Sequence, residues 1–295
     1  MKETIEFRIN YNYANLLFNE NEGRNIGTSV RVVEISTDDP RYRQIPIVEK
    51  QVKEKYNEGF FFAWKFKRQY SDKELVEAKL FHFKIKTVFE PTGEECGTLY
   101  DETAACEVCG ANRKQIGSLI LKKGTVPKKD IAKTIGGEVI VSDKFTNVVR
   151  RRNLKGLVLN PVYFGNGISD YYQLTANIEV ELSSKSVTGN NPFVTSSGSE
   201  GGIYNISGYE IKFEKEVYIC PKGDLIGLNL LSEPYVLENS LYRSFDFFAS
   251  RQKLGVKRGL LRPEPIYFCS QAFRKMVEEE KLSGFEFEIA YIEEK

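Results

Sequence analysis

One segment of this chain is repeated, and the repeat restricts the possible folds more than any other feature. Residues 140–159 and 268–287 agree at constant spacing: Ser142 with Ser270, Phe145 with Phe273, Val149 with Val277, Leu154 with Leu282 and Gly156 with Gly284. In both copies a strand pattern runs into a Ser suited to an N-cap, followed by a helical pattern, a Gly turn and a second strand. Two copies are too few for a solenoid. The sequence therefore predicts a pseudo-symmetric domain, with repeat units at about 138–164 and 266–292.

The two copies carry opposite charges at the same helical positions. The first copy has Arg150–Arg152 and the second has Glu278–Glu280. If the two helices lie side by side, these triplets can form ion pairs across the pseudo-twofold axis. The alternative is that both triplets are solvated helix faces.

A Cys-x-x-Cys-Gly motif precedes the first copy. Cys106 and Cys109 can bind one Zn²⁺ through their thiolates, while Gly110 allows the backbone to turn with a positive φ. A redox pair would need the first Cys at a helix N-terminus, and Gly110 and Asn112 disfavour a helix that continues through Cys109. Structural thiols are the remaining alternative. The favoured interpretation is a zinc knuckle.

The motif supplies only two ligands, so a zinc site needs others. Cys220 lies shortly before an Ile-Gly and a strand, as the motif does, and is predicted to approach it across the pseudo-axis. Asp224 would then complete a tetrahedral site, and Cys96 and His82 are the competing ligands. Cys269 lies inside the repeated strand and is expected in the core.

Composition excludes several classes of protein. The 42 basic and 41 acidic residues nearly cancel, so no overall charge attracts nucleic acid or an anionic membrane. The single histidine, His82, excludes a two-histidine metal site. Five cysteines without a regular framework indicate a reducing compartment. Neither a signal-peptide core nor a stretch of about 18 apolar residues occurs, so a soluble cytoplasmic protein is expected.

The strand patterns predict an α+β fold. A β-rich N-terminal region is expected over residues 1–90, followed over 91–295 by a duplicated strand-helix-strand domain with the zinc knuckle. In the N-terminal region, Phe60, Phe62, Trp64 and Phe66 are predicted to share one face of a strand. Such a face is more often the buried side of a sheet than a platform for stacking bases.

Three motifs resemble those of a group of bacterial proteins. They are Gly97-Thr98-x-Tyr100-Asp101 leading to Cys106-x-x-Cys109-Gly110, then Gly227-x-Asn229-Leu230-Leu231-Ser232-Glu233, and Leu261-Arg262-Pro263-x-Pro265. With them, the chain looks related to the double-CXXCG motif proteins and to the immunity proteins that neutralise toxins in bacterial competition. The likeness covers roughly residues 90–295. Such relatives are expected to have Cys-Pro-x-Gly-His where this chain has Cys220-Pro221-Lys222-Gly223-Asp224. The resemblance implies a zinc-stabilised binding protein more than an enzyme.

The leading functional hypothesis is therefore a cytoplasmic interaction protein with a structural zinc, such as an immunity protein that binds its cognate toxin. Arg251, Arg258 and Arg262 are candidate anchors, because Arg is enriched at interface hot spots. Each could equally be a surface salt-bridge partner.

Two other classes of function agree less well with the sequence. A nucleic-acid-binding zinc ribbon would use a phosphate track made of Arg113–Lys114, Lys122–Lys123, Lys128–Lys129 and Arg150–Arg152. The near-neutral total charge disfavours it. An enzyme is not expected, because the chain has no nucleophile elbow, Walker loop or dinucleotide fingerprint, and none of its acidic residues is singled out by spacing.

Overall fold

The computed structural model describes residues 1–189, 192–193, 203–206, 209–212, 218–220, 225–226, 229–242, 244–255 and 257–294. The fold is mixed and rich in strands, which confirms the predicted α+β class. The chain divides into two compact units, unit 1 (Met1–Val76) and unit 2 (Glu77–Lys295). Within the described ranges, no helix has the length and apolar character needed to cross a membrane.

Unit 1 contains strands β1 (Lys2–Asn10), β2 (Arg24–Ile26), β3 (Val30–Ser36) and β4 (Phe61–Gln69), and helix α1 (Ile45–Tyr56). Helix α2 (Asp72–Glu77) begins in unit 1 and ends at the first residue of unit 2. The strands form one antiparallel sheet in the order β2-β3-β1-β4. The alternation of β1 buries one face completely, through Ile5, Phe7 and Ile9. In α1 the buried residues Ile45, Val48 and Val52 follow the helical period and form its apolar face.

The aromatic residues of β4 do not share one face, so that prediction was wrong. Phe60 and Phe66 are buried, but Phe62 is 59% exposed. A β-bulge shifts the register against β1 and leaves Phe62 without an opposite residue. As a result Phe61 packs against Phe7, with 5.3 Å between the ring centroids.

Unit 2 begins with β5 (Leu80–Ile85), β6 (Val88–Phe89), β7 (Leu99–Asp101), β8 (Lys114–Ile116), β9 (Leu119–Leu121), β10 (Ile131–Thr134), β11 (Val139–Ser142), α3 (Asp143–Arg152), β12 (Leu157–Phe164) and β13 (Gly167–Ala176). It continues with β14 (Glu179–Val180), β15 (Thr188–Gly189), β16 (Ile203–Ile206), β17 (Tyr209–Lys212), β18 (Tyr218–Ile219), β19 (Leu225–Ile226), β20 (Asn229–Leu230) and β21 (Tyr235–Leu237). It ends with β22 (Phe247–Leu254), β23 (Glu264–Ser270), α4 (Gln271–Glu279) and β24 (Phe285–Glu293).

Two six-stranded sheets form the body of unit 2. Sheet 2 has the order β6-β10-β11-β13-β12-β9, and sheet 3 has the order β14-β22-β23-β5-β24-β21. In both sheets the pair at each end is parallel and the three inner pairs are antiparallel. The two sheets therefore have the same order of strand directions from one edge to the other.

Strand β5 determines where the two units divide. It lies between β23 and β24 in sheet 3, although it precedes every other strand of unit 2 along the chain. Residues 80–85 were assigned by sequence to the N-terminal region, with a boundary at residue 90. The structure instead separates the units after Val76, because β5 pairs with strands near the C-terminus.

The two repeated segments form equivalent strand-helix-strand elements, β11-α3-β12 and β23-α4-β24. The Oγ atom of Ser142 accepts a hydrogen bond from the backbone N–H of Phe145 at 3.1 Å, and that of Ser270 accepts one from Phe273 at 3.2 Å. Each serine accepts a hydrogen bond from a backbone N–H that would otherwise be unpaired in the first helical turn. This hydrogen bond favours the start of the helix at that position.

The two helices meet through equivalent residues. The rings of Phe145 and Phe273 lie 6.1 Å apart. Arg152 contacts Glu279 and Glu280, each at 2.8 Å, and Arg151 contacts Glu280 at 2.7 Å. The predicted pairing of the arginine and glutamate triplets is thus confirmed for these residues. The pairs are accessible to solvent, so salt screens them.

The core of unit 2 has an aromatic centre. The ring of Phe83, on β5, lies within 6.0 Å of four others: Phe247, Tyr267, Phe273 and Phe285. Sheets 2 and 3 each bury a further apolar cluster.

Candidate metal centre

The cysteine motif lies in a tight turn at the end of a short hairpin. Strands β7 and β8 pair from Leu99 opposite Ile116 to Asp101 opposite Lys114. Beyond them, the N–H of Gly110 donates to the carbonyl oxygen of Cys106 at 2.8 Å, and Gly110 has a φ of +74°. No helix begins at the first cysteine, in agreement with the argument against a redox pair.

The third cysteine reaches this turn from a distant segment. The Sγ atoms of Cys106 and Cys220 lie 3.4 Å apart, and those of Cys106, Cys109 and Cys220 all lie within 4.8 Å of one another. Cys109 and Cys220 are buried, and Cys106 is partly exposed. Two thiolates on one tetrahedral zinc are about 3.8 Å apart, since each Zn–S bond is about 2.3 Å long. The three thiols could therefore hold a metal ion, as predicted.

None of the other proposed ligands is among the side chains grouped with Cys106 in the described part of the chain. Asp224 lies outside the described residues. Cys96 and His82 are both described, and neither belongs to the group of metal-binding side chains around Cys106. The Nδ1 atom of His82 lies 3.4 Å from the Oε2 atom of Glu288. Cys269 is completely buried, which confirms its predicted place in the core.

The thiols differ in acidity. Burial disfavours the thiolate of Cys106, but hydrogen bonds from the backbone of Cys109 and Val108 and from the Cys220 thiol outweigh it. The net pKa of Cys106 lies below the usual 9.0. Burial raises the pKa of Cys109. A divalent cation would favour ionisation of all three thiols, because only thiolates coordinate strongly.

An ionic network that the sequence did not predict holds the hairpin. The guanidinium of Arg113 lies 3.7 Å above the ring of Tyr100, 2.6 Å from Glu94 and 3.3 Å from Glu102. The Tyr100 hydroxyl donates to Glu138 at 2.5 Å. Arg113 lies three residues after the motif in sequence, but nothing local indicates its partners. Its burial explains why two carboxylates are placed next to it.

The three arginines proposed as anchors have different environments. Arg251, on β22, and Arg258 are exposed. Arg262 is not an exposed anchor, because its side chain is only 8% exposed and lies 3.4 Å from Glu94 and 3.8 Å from Glu102. It therefore shares its carboxylates with the network of the hairpin.

The segment that precedes Arg262 also covers the knuckle. The N–H of Lys257 donates to the carbonyl oxygen of Cys109 at 3.0 Å. A Cβ atom at Gly110 would lie 2.7 Å from the Cβ of Lys257, so glycine is required at this contact as well as for the turn. The Cys106–Gly110 turn is therefore contacted by a segment about 150 residues further along unit 2.

Comparison of the chain with protein-family models and with curated proteins finds no match.

Proposed function

We propose that Cys106, Cys109 and Cys220 bind a structural Zn²⁺ in a protein that acts by binding a partner. The observation that carries the proposal is the convergence of three thiols from segments 114 residues apart. Soft thiolate ligands favour Zn²⁺ over Mg²⁺ or Ca²⁺. The zinc would link two distant segments of unit 2, and Asp224 is the proposed fourth ligand.

We propose further that unit 2 is an internal duplication, with copies over about 80–164 and 167–293. The order of strand directions in sheets 2 and 3 supports this, as do the matched serine caps. On this assignment each copy contributes its first strand to the sheet of the other, β5 to sheet 3 and β13 to sheet 2. The side chain of Asp246 accepts a hydrogen bond from Lys155 N–H at 3.0 Å, and that of Asp130 accepts one from Ser283 N–H at 2.7 Å, which ties each copy to the other in the same way.

The metal proposal is tested by elemental mass spectrometry on protein purified without a metal-affinity tag. About one zinc per chain is expected in the native protein, and much less in Cys106→Ser, Cys109→Ser and Cys220→Ser. Cys96→Ser is the matched control, because Cys96 is a partly buried thiol, ten residues before Cys106 in sequence, that does not belong to the cluster. Native protein without metal after purification under reducing conditions, or equal loss of zinc in the control, would contradict the proposal.

The proposed partner is a protein, in line with the resemblance to toxin-immunity proteins. A strain that expresses the chain should survive contact with a kin strain that delivers the cognate toxin. Arg251→Glu should weaken that protection, because Arg251 is exposed and a reversed charge at an interface rim slows association. Undiminished killing of a strain that expresses the native chain would exclude an immunity function.

Ion pairs within the proposed phosphate track weaken the nucleic-acid alternative. Arg113 is 8% exposed and is bonded to carboxylates. Arg151 and Arg152 contact the glutamates of the second repeat. These cations are already neutralised, so they contribute little to a phosphate-binding surface. Fluorescence anisotropy with labelled duplex DNA and single-stranded RNA tests this, since tight binding that falls steeply with salt would reverse the preference.

A further inference from the structure

Unit 2 contains a cavity of about 590 Å³ beside β5 and the segment 254–267. Small-molecule sites have volumes of about 300–1,000 Å³. Part of its wall is apolar and is formed by Phe83, Ile85, Leu230, Leu254 and Ile266. The cavity is therefore large enough for a small organic ligand and offers a surface for an apolar body.

Cationic side chains also line this cavity: Lys84, Lys133, Arg258 and Arg262. Glu288 forms an ion pair with Lys84, and Glu264 forms one with Lys133. The guanidinium of Arg258 has no ion-pair or hydrogen-bond partner among the residues that the structure describes. Among the described residues, one positive charge at the cavity is thus unmatched.

Arg262 supplies a second unsatisfied group. Its terminal nitrogens contact Glu94 and the carbonyl oxygen of Gly259, the latter at 2.5 Å. Its Nε is buried and has no hydrogen-bond acceptor in the described part of the chain. A buried N–H without an acceptor is unfavourable, and a ligand oxygen would satisfy it.

A tight turn brings these two arginines to the same cavity. The N–H of Arg258 donates to the carbonyl oxygen of Leu261 at 3.2 Å, and the N–H of Leu261 donates back at 3.0 Å. Arg262 follows directly. An unmatched cation and an apolar wall therefore line one space, and the residue that carries the unsatisfied N–H lines it as well.

We propose that this cavity binds an organic monoanion with a carboxylate on an apolar body. The carboxylate pairs with Arg258 and accepts the Nε–H of Arg262, and the apolar body covers the partly exposed wall at Leu230 and Leu254. Arginine is suited to this role because its planar guanidinium matches carboxylate geometry. The proposal depends neither on zinc nor on a protein partner.

Isothermal titration calorimetry of the full chain with 1-naphthoate and with its neutral analogue 1-naphthamide tests the proposal. The carboxylate should bind at least about tenfold more tightly than the amide, since a charge-assisted hydrogen bond contributes this much at an accessible site. Arg258→Gln should remove that preference and leave amide binding unchanged. The matched control is Arg251→Gln, an exposed arginine that does not line the cavity.

Leu261→Glu provides a second, independent variant. Leu261 lines the cavity and is 46% exposed, so the substitution is compatible with folding. The added negative charge should weaken naphthoate binding at least about tenfold and affect naphthamide less. Equal affinity for acid and amide, a full acid preference in Arg258→Gln, or no binding of naphthoate or octanoate at millimolar concentration would each overturn the proposal.

Discussion

Gly156 and Gly284 are the positions at which one added methyl group should damage unit 2 most clearly. Their φ angles are +98° and +101°, in a region that L residues enter only with strain. A Cβ atom at Gly156 would lie 2.3 Å from the carbonyl oxygen of Phe247, and one at Gly284 would lie 2.3 Å from that of Ile131. Because both oxygens belong to the backbone, a strand must move to admit the methyl group.

Two effects contribute to the expected loss of stability in Gly156→Ala and in Gly284→Ala. A residue other than glycine at such a φ costs about 1–2 kcal/mol. Forcing a methyl group into a close-packed contact costs about 1–3 kcal/mol more. The free energy of unfolding should therefore fall by about 2–5 kcal/mol in each variant. Gly124→Ala is the matched control, because Gly124 has a φ of +86° and no atom within 4 Å of the added Cβ, so that only the first cost applies.

Urea unfolding followed by far-UV circular dichroism measures these losses. The curve should be fitted with two transitions, since two compact units need not unfold together. Trp64, the single tryptophan of the chain, lies in unit 1, so its fluorescence identifies the transition of that unit. The variants should shift the other transition to lower urea.

A loss of stability in Gly156→Ala and Gly284→Ala no larger than that in Gly124→Ala would contradict this expectation. A difference of more than about 2 kcal/mol between Gly156→Ala and Gly284→Ala would contradict it as well, because equal contacts and equal φ angles imply similar costs.

Three further predictions concern charge and metal. Arg152→Glu should lower the thermal midpoint slightly, and the exchange Arg152→Glu with Glu280→Arg should restore it, as calorimetry in low salt can show. Burial disfavours ionised Glu288, but His82 and Lys84 outweigh burial and lower its pKa from 4.5 to about 2. Ionised Glu288 therefore contributes its full stabilisation above pH 4.5, and this contribution, at most about 3 kcal/mol, is lost as the pH falls toward 2. Glu288→Gln should abolish this dependence of the free energy of unfolding on pH, as acid unfolding can show. Removal of zinc by a chelator should lower the midpoint of unit 2 by about 5–10 °C, and re-addition of zinc, but not of magnesium, should restore it.

Several parts of the fold were predictable because local chemistry determines them. Ser142 and Ser270 are good N-caps, so both capped helices were expected from the sequence. Gly156 and Gly284 marked the turns that follow these helices. The Cys106–Gly110 turn was predicted from the residue types alone.

Other local signals were missed or misleading. Helix α1 was not predicted, although Ile45, Val48 and Val52 have helical spacing. The alternation of aromatic residues in β4 suggested one face, but a bulge at Phe62 breaks the period of two. A bulge depends on the partner strand, so the strand's own sequence does not reveal it.

By itself, the sequence determined the elements of the repeated segments and the thiols of the knuckle, because caps, turns and hydrophobic periods act over a few residues. Only the tertiary structure decided that β5 enters sheet 3 and that Arg262 is enclosed beside a cavity. These outcomes depend on backbone pairing and burial between segments that are far apart along the chain, and no local pattern specifies which distant segment will be the partner.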